Sequence, residues 1–359
     1  MSHVRMIAFD GGPAAWLEYL ILEHLVQEEP GTIAEATHFV GTSAGSYLAL
    51  WLAARPEGAD PAQWLRRFRP HLNSIYAAFG GGARAWARLL SGRAAMNGMA
   101  RIAAVLRQIF EVEAGVKTLA DLHYPVTLCS YALDLEGTDG KDLGQAPDFI
   151  GAARYPDLSV VDAALRSSAF PLVVPIYQGH VDGAVFANNP ALVGVVDALS
   201  SPGNRRDGVL HLTDFRVLSL GGADRLFGSA AIRKKLHRNR EDNWGTAAWL
   251  FRLFNPLLLL DLLYNAQPRA AAATLIQMLG EDRFQRVAPS QPENLSMEFV
   301  DVLLNLDKVL YVNAMVTFEA WSAAPAGQIG GGPQTLQWVR DHWVPALDAP
   351  GTGPGQGED

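Results

Sequence analysis

The first fifty residues alternate between strand and helix patterns. "VRMIAFD" at 4–10 predicts a buried strand, and the glycines that follow lead into an amphipathic helix predicted from Pro13 to about Glu29. A second apolar run at 36–41 ends in "TSAGS", and "YLALWLAA" continues as a helix from that turn. This alternation is typical of a mainly parallel sheet with helices on its faces, so the sequence predicts an α/β fold.

Weaker patterns organise the rest of the chain. We predict helices over 57–120, forming a cap or insertion, and a mainly helical part over 233–321. Strands are expected at 124–133 and 214–223, a helix at 160–170, and a short strand followed by a helix within 171–199. These elements predict one domain over 1–345, followed by a disordered tail at 346–359 that is rich in Gly and Pro.

Composition narrows the class of protein. The chain has 359 residues, of which 49% are apolar, so it can bury a large core. Cys129 is the single cysteine, which excludes an internal disulfide, and the first residues lack the apolar region of a secretory signal. We therefore expect a cytoplasmic protein. The net charge of −8 argues against a nucleic-acid binder.

Two segments could contact a membrane surface. No acidic residue lies between Asp60 and Glu111, and a basic, Trp-containing segment at 66–107 could approach anionic headgroups or form an ordinary solvated helical face. Its arginines are Arg66, Arg67, Arg69, Arg84, Arg88, Arg93, Arg101 and Arg107. The apolar stretch 246–264 is interrupted by polar residues and is too short to span a bilayer, so it is either a core helix or a mobile lid.

Ser43 is the candidate nucleophile, because Gly41 and Gly45 flank it in the Gly-x-Ser-x-Gly pattern of a sharp strand-to-helix turn. Such turns also occur without chemistry, and a serine hydroxyl needs a base. In the order typical of α/β-hydrolases the base would be His211, His237 or His342, but none lies in a distinctive turn.

The Asp-Gly turn of "HVDGA" offers Asp182 as a different base. A carboxylate in water is a weak base, with a pKa of about 3.9, so Asp182 would need burial to act near neutral pH. The alternative is that Asp-Gly here forms a plain turn.

The N–H groups of Gly11 and Gly12 lie between a predicted strand and a helix N-terminus, where a negative charge is favoured. Together with the N–H of Ala44, they could bind the oxyanion that forms when a serine attacks a carbonyl. The same glycines could bind a phosphate, but neither a Walker A lysine nor a complete G-x-G-x-x-G follows.

Three motifs in this order resemble those of the patatin-like phospholipase family. They are "DGGP" at 10–13, "GTSAG" at 41–45 and "DGA" at 182–184, with "AALRSSAFPLVVPI" and "NNPA" flanking the third. The resemblance extends over about 4–320. It implies a patatin-like three-layer α/β fold with a central mainly parallel sheet, helices on both faces and a helical cap.

By this resemblance the chain is a lipid acyl hydrolase of phospholipase A type. Ser43 would be the nucleophile and Asp182 the base of a dyad without histidine, acting on a lipid or another ester without a metal or organic cofactor. The oxyanion donors would be Gly11, Gly12 and Ala44, and the motif-supporting residues would be Asp10, Gly41, Gly45 and Gly183. Peripheral membrane contact would involve 66–107 or 246–264.

The chain departs from the family pattern at two positions. Pro13 stands where a third glycine is usual, and Ala15 where a basic residue is usual. Proline has no N–H, and the loss of one oxyanion donor can cost about 3 kcal/mol of transition-state stabilisation. Two alternatives therefore stay open: an acyltransferase that uses the same dyad, and a weakly active protein that binds a lipid or a partner.

Overall fold

The computed structural model describes residues 3–12, 14–79, 98–136, 142–171, 173–200, 210–222, 258–290 and 306–344. Several predictions lie outside these ranges. They concern Pro13, the centre of the predicted cap at 80–97, most of the apolar stretch 246–264, and the predicted tail.

The strands are β1 (Val4–Phe9), β2 (His38–Thr42), β3 (Val126–Glu136), β4 (Asp142–Ile150), β5 (His180–Asp182), β6 (Phe215–Leu220) and β7 (Phe284–Val287). The α-helices are α1 (Ala15–Glu28), α2 (Gly31–Ala34), α3 (Ala44–Ala53), α4 (Pro61–Phe79), α5 (Met99–Arg107), α6 (Val160–Ser167), α7 (Ala184–Ala187), α8 (Ala191–Ser200), α9 (Leu258–Leu279), α10 (Leu306–Ser322) and α11 (Gly332–Trp338). Short 3₁₀ turns cover Leu119–Asp121 and Leu212–Asp214, and π-helical turns cover Gln108–Glu113 and Val339–Trp343.

The strands form one mixed sheet in the order β4-β3-β2-β1-β6-β7, with β5 also paired to β3. Strand β1 lies at the centre and is parallel to both β2 and β6. The pairs β2–β3 and β6–β7 are parallel as well, whereas β4 and β5 run antiparallel to β3. The prediction of an α/β fold with a central mainly parallel sheet is therefore confirmed.

Strand β3 aligns the ends of two shorter strands. Its first half pairs with β2, so that Thr42 lies opposite Cys129. Its second half pairs with β5, so that Asp182 lies opposite Ser130, the next residue of β3. Because β2 is parallel to β3 and β5 is antiparallel, their carboxyl ends point toward each other. This register brings the turn at Ser43 close to Asp182.

Helices cover both faces of the sheet. Alternate residues of β1 face opposite sides, as expected for a strand with a period of two. Ile7 and Phe9 share a core with α1, α3, α4 and α5, whereas Met6 and Ala8 share a second core with α8 and α9. The predicted three-layer arrangement is confirmed.

The predicted cap stays a prediction, because its centre lies outside the described residues. The part of it that is described packs directly on the helical layer. Trp64 of α4 stacks on Trp51 of α3, with ring centroids 4.6 Å apart, and each indole N–H donates to the backbone carbonyl of the other residue. Within the described residues, no helix has the length and apolar character required to span a bilayer.

Two strands were not predicted. Strand β4 carries Gly144 and Pro147, and proline is tolerated in a sheet mainly on an edge strand, which is where β4 lies. Strand β7 has four residues and lies within the segment that we predicted to be mainly helical. Neither stretch has the continuous apolar run of a fully buried strand, because both lie at the edges of the sheet.

Candidate active site

Ser43 lies at a sharp turn between β2 and α3. Its backbone has φ 52° and ψ −123°, a region that a residue with a side chain rarely adopts. The flanking glycines allow this turn because other backbone lies against them. A Cβ on Gly41 would lie 2.6 Å from Ser46 Cα, and one on Gly45 would lie 2.4 Å from the carbonyl oxygen of Asp10.

Hydrogen bonds at both ends hold the Ser43 backbone. Its carbonyl accepts from both the N–H and the hydroxyl of Ser46. Its N–H donates to Ser167 Oγ at 3.0 Å. A strained conformation costs on the order of 1–3 kcal/mol and persists only where the surroundings enforce it. These bonds provide that enforcement.

Asp182 ends β5 and is fully buried. Its Oδ1 accepts from the N–H of Ala184 at 2.8 Å, while its buried Oδ2 has no hydrogen-bond partner of normal geometry among the described residues. Burial raises the pKa of this carboxyl to about 7, although hydrogen bonding from the Ser43 hydroxyl and from Ala184 lowers it. The carboxyl therefore titrates near neutral pH beside a serine hydroxyl.

Gly183 permits the close approach of the Asp182 turn to β3. A Cβ at this position would lie 2.2 Å from the carbonyl oxygen of Cys129. Since Cys129 lies opposite Thr42, the same residue of β3 contacts both turns. A larger residue after Asp182 would therefore have to displace either this turn or β3.

The turn at Gly11 and Gly12 lies directly behind Ser43. A Cβ on Gly11 would lie 3.1 Å from Ser43 Cβ, and its N–H donates to the carbonyl of Asn188 at 3.0 Å. The Gly11 N–H is therefore engaged. By contrast, the N–H groups of Gly12 and of Ala44, the first residue of α3, have no acceptor among the described residues. Gly12 has φ 91°, which favours glycine.

A buried charge cluster supports this glycine turn. Both carboxylate oxygens of Asp10 accept from the guanidinium of Arg286 on β7, which also donates to Ser219 Oγ at 2.8 Å. The N–H of Asp10 donates to Glu18 on α1 at 2.7 Å. Glu18 is fully buried, and burial together with the nearby Asp10 charge raises its pKa well above the usual range.

The structure does not place the candidate histidines that it describes, His211 and His342, at the Ser43 turn. His211 caps the 3₁₀ turn before β6, and His342 packs against Trp338, whereas His237 lies outside the described residues. A different histidine, His180, lies two residues before Asp182, and its Nε2 is 3.1 Å from Asp148 Oδ2. Within the described chain, no cluster of three or more His, Cys, Asp or Glu residues could hold a metal ion.

An apolar cavity of about 300 Å³ lies between β4, α7, α8 and α9, and Phe149 and Phe186 form part of its wall. Phe149 pairs with Cys129, whereas Asp182 pairs with Ser130, the next residue along β3. Successive residues of a strand point to opposite faces, so the cavity and the Asp182 carboxyl lie on opposite faces of the sheet.

Three residues that contact the site were not predicted. The sequence places Ser167 within "AALRSSAFPLVVPI" without assigning it a role, and it assigns none to Glu18 or Arg286. Glu18 on the apolar helix face of 13–29 is a weak indication of buried charge, because a carboxylate is rarely buried without a partner. No local pattern shows that Arg286 reaches Asp10.

Comparisons with known proteins give consistent matches. The family model described as patatin-like phospholipase matches residues 7–195. CotR of Bacillus subtilis (strain 168), whose name assigns it to sporulation hydrolases, is 26% identical over 307 residues. The protein teg of Priestia megaterium is 25% identical over 301 residues. Both alignments cover 81% of this chain and 89% of the relative.

Two solved structures also match over most of the chain. VipD from Legionella pneumophila has a TM-score of 0.31 and 12% identity, covering 89% of this chain and 67% of its own. ExoU from Pseudomonas aeruginosa, solved in complex with SpcU, has a TM-score of 0.33 and 15% identity, covering 94% of this chain and 68% of its own.

Proposed function

Because this chain belongs to the patatin-like phospholipase family, we propose that it is a lipid acyl hydrolase that cleaves carboxylic esters through a Ser43–Asp182 dyad. One observation carries this proposal. The buried Asp182 carboxyl, with a pKa of about 7, lies beside the hydroxyl of a serine on a strained turn. A base with a pKa near the working pH is efficient at taking a proton from such a hydroxyl.

In the acylation step, Asp182 takes the proton of Ser43 as the Ser43 oxygen attacks the ester carbonyl carbon. The carbonyl oxygen becomes negatively charged in the tetrahedral intermediate. When the intermediate collapses, the proton passes to the leaving alcohol, and the acyl group stays on Ser43 as an ester. The Oδ2 of Asp182, which has no partner of normal geometry among the described residues, is the oxygen available to carry this proton.

The N–H groups of Gly12 and Ala44 are the candidate donors to the oxyanion, since neither has an acceptor among the described residues. Ala44 begins α3, so the helix end adds a partial positive charge there. The Gly11 N–H, which the sequence suggested as a further donor, is bonded to Asn188, so in this arrangement Gly11 instead provides space behind Ser43.

In the second step, Asp182 takes a proton from water as the water oxygen attacks the acyl carbon. The bond to Ser43 breaks, Ser43 regains a proton and a fatty acid is released. An alcohol in place of water would give acyl transfer by the same groups.

Labelling with a fluorescent fluorophosphonate tests the nucleophile and the base. Wild type should be labelled, Ser43→Ala should not, and Asp182→Asn should react about 10²–10⁴-fold more slowly. Ser74→Ala is the control for the nucleophile, because Ser74 is exposed on α4 and its hydroxyl donates to the Pro70 carbonyl, so its removal should leave labelling at Ser43 unchanged. An unlabelled wild type would contradict the proposal, and labelling that persists in Ser43→Ala would assign the chemistry to another serine.

Product analysis with acyl-labelled phospholipid separates the possible reactions. Released fatty acid, with or without added alcohol, would support hydrolysis, whereas an ester of the added alcohol as the main product would indicate an acyltransferase. Labelling by fluorophosphonate without turnover of any ester would favour the weakly active binding protein.

Peripheral membrane contact is part of the proposal. Arg66, Arg67 and Arg69 are exposed on α4, which could attract anionic headgroups. Co-sedimentation with vesicles that contain phosphatidylserine should decrease when these three are changed to Gln. Equal sedimentation of wild type and the triple variant would exclude a role for this face of α4.

A further inference from the structure

Two residues at the end of α6 and just after it, Ser167 and Ala169, contact the two turns of the candidate site. The N–H of Ser43 donates to Ser167 Oγ at 3.0 Å. The N–H of Gly183 donates to the Ser167 carbonyl at 3.2 Å, and that of Asp182 donates to the Ala169 carbonyl at 3.1 Å. One short segment thus binds the backbone of both proposed dyad residues.

The Ser167 hydroxyl has a fixed orientation. It is fully buried and donates its proton to the carbonyl of Cys129 at 2.7 Å, so its lone pairs are left to accept from Ser43. Cys129 lies on β3 opposite Thr42, the residue before Ser43. The hydroxyl therefore connects the Ser43 turn to β3, the strand on which Asp182 is also paired.

This connection matters because the Ser43 backbone is strained. The carbonyl of Ser43 is held by Ser46, within the same turn, whereas its N–H is held by Ser167, which lies 124 residues away in the sequence. Without the Ser167 hydroxyl the turn would keep its local bonds. It would also keep the bond from Thr42 Oγ1 to the Ala187 carbonyl at 2.7 Å, but it would lose the bond that ties the Ser43 N–H itself to the segment that holds the Asp182 turn.

We propose that Ser167 is a positioning residue, which sets the placement of the Ser43 hydroxyl relative to the Asp182 carboxylate. This inference rests on the proposed function, in which these two groups react. Rates that depend on two groups being in contact fall steeply with misplacement, by about 100-fold for a shift on the order of 1 Å.

Two matched variants test the proposal. Ser167→Ala removes the hydroxyl that contacts Ser43. Ser168→Ala removes an equally buried hydroxyl, which accepts from Tyr47 and donates to Ala164 but contacts neither turn. We expect Ser167→Ala to lower the second-order rate constant of fluorophosphonate labelling by about 10–100-fold. Ser168→Ala should react nearly as fast as wild type once the folded fraction, taken from thermal melts, is accounted for.

The pH dependence of labelling provides a readout that a purely structural role would not change. The Ser43 hydroxyl lowers the pKa of Asp182, so moving it away should raise the midpoint of the rate–pH profile in Ser167→Ala but not in Ser168→Ala. Burial raises the pKa of the other ionisable groups that interact with Asp182, Tyr47 of α3 and Cys129 of β3, and keeps both neutral. His180, on the same strand, is bonded to Asp148.

If an alanine variant does not fold, the pair Ser167→Cys and Ser168→Cys replaces it, since a thiol of similar size is only a weak hydrogen-bonding group. Slower labelling and a higher midpoint at position 167 alone would support the proposal. Equal rates and midpoints at the two positions would overturn it. An unlabelled wild type would overturn the proposed function instead.

Discussion

The Ser43 turn depends on glycines that other backbone approaches closely. Gly41 and Gly45 have ordinary backbone angles, so their role is to provide space rather than conformational freedom. This distinguishes the turn from an ordinary Gly-rich loop, in which glycines are usually selected for positive φ. The sequence pattern predicts the turn. Its two glycines are needed because the start of α3 lies against Gly41 and the end of β1 lies against Gly45.

We expect Gly45→Ala to disrupt this turn. Its Cβ would lie 2.4 Å from the Asp10 carbonyl oxygen and 2.5 Å from that of Phe9, and both belong to the backbone at the end of the central strand. Overpacking of this kind costs about 1–3 kcal/mol of stability, and labelling of Ser43 should decrease as well. Gly98→Ala is the control, because no atom lies within 4 Å of its added Cβ. Thermal melts and labelling rates that match in the two variants would contradict this explanation.

The ionisation of Asp182 should control the pH dependence of Ser43. Burial raises the pKa of this carboxyl to about 7, so the basic form is lost as the pH falls through 7. The labelling rate should rise from pH 5 to 8 with a midpoint near 7, and Asp182→Asn should remove that rise along with most of the rate. A rate that stays constant over this range in wild type would exclude Asp182 as the base.

At the scale of elements, the ends of the strands assemble the site. β1, β2 and β5 contribute their carboxyl ends, and α1 and α3 begin just after β1 and β2, respectively. In open α/β sheets, ligands generally bind at the edge where the carboxyl ends of the strands meet, because the loops that follow these strands come together there. β7 adds Arg286, which bonds to Asp10 although the two are 276 residues apart in the sequence. The glycine turn is therefore supported by an element from the other end of the chain.

Residues in short local motifs could be predicted from the sequence, whereas residues that act through contacts between distant segments could not. Ser43, Asp182 and the glycine turns lie in short local motifs, so the sequence alone identified them as candidates. Ser167 and Arg286 act through contacts between distant segments, and such contacts depend on the register of the sheet. Strand β4 was missed for a related reason, since an edge strand needs no continuous apolar pattern.

Arg286→Met should destabilise the protein strongly. It leaves the Asp10 carboxylate buried without its cation, and the loss of one partner of a buried pair costs about 3–5 kcal/mol. Arg340→Met is the control, because Arg340 is 45% exposed and only approaches Glu28 and Glu29, at 3.9 and 3.7 Å. A surface pair of this kind contributes at most about 1 kcal/mol. Denaturant unfolding of both variants measures the difference.

The double variant Asp10→Asn, Arg286→Met tests the cause. Removing the carboxylate charge as well should recover part of the lost stability, because no uncompensated buried charge is then left. A double variant that is as unstable as Arg286→Met alone would indicate that packing around Arg286, rather than the charge of Asp10, explains the loss.

At the scale of the whole molecule, the central strand depends on segments from both halves of the chain. β1 pairs with β2 on one edge, and with β6 on the other along its entire length, from Val4 opposite Phe215 to Phe9 opposite Leu220. The family model ends at residue 195, before β6 and β7. The partner of Asp10, Arg286, therefore lies outside the matched region, as does the part of the second core that β6, α9 and β7 contribute.

The buried Asp182 carboxyl should lower the free energy of unfolding at neutral and higher pH. A carboxyl whose pKa is raised on folding stabilises the folded state at low pH, and this contribution is lost as the pH rises toward the folded-state pKa of about 7. Relative to a normal value of 3.8, the loss is on the order of 4 kcal/mol at most. His38 acts in the opposite sense, because burial lowers its pKa to about 4 and its protonation favours unfolding as the pH falls from about 6.5.

Comparison of wild type with Asp182→Asn isolates the carboxyl, since His38 is present in both. We expect the variant to be more stable than wild type at pH 8 and the difference to decrease toward pH 4, because asparagine is neutral at every pH and keeps the acceptor for the Ala184 N–H. Asp157→Asn is the control, as its carboxyl is exposed and should alter stability by less than about 0.5 kcal/mol. If Asp182→Asn changed the free energy of unfolding by the same small amount at both pH values, burial of the ionised Asp182 carboxylate would not destabilise the folded protein.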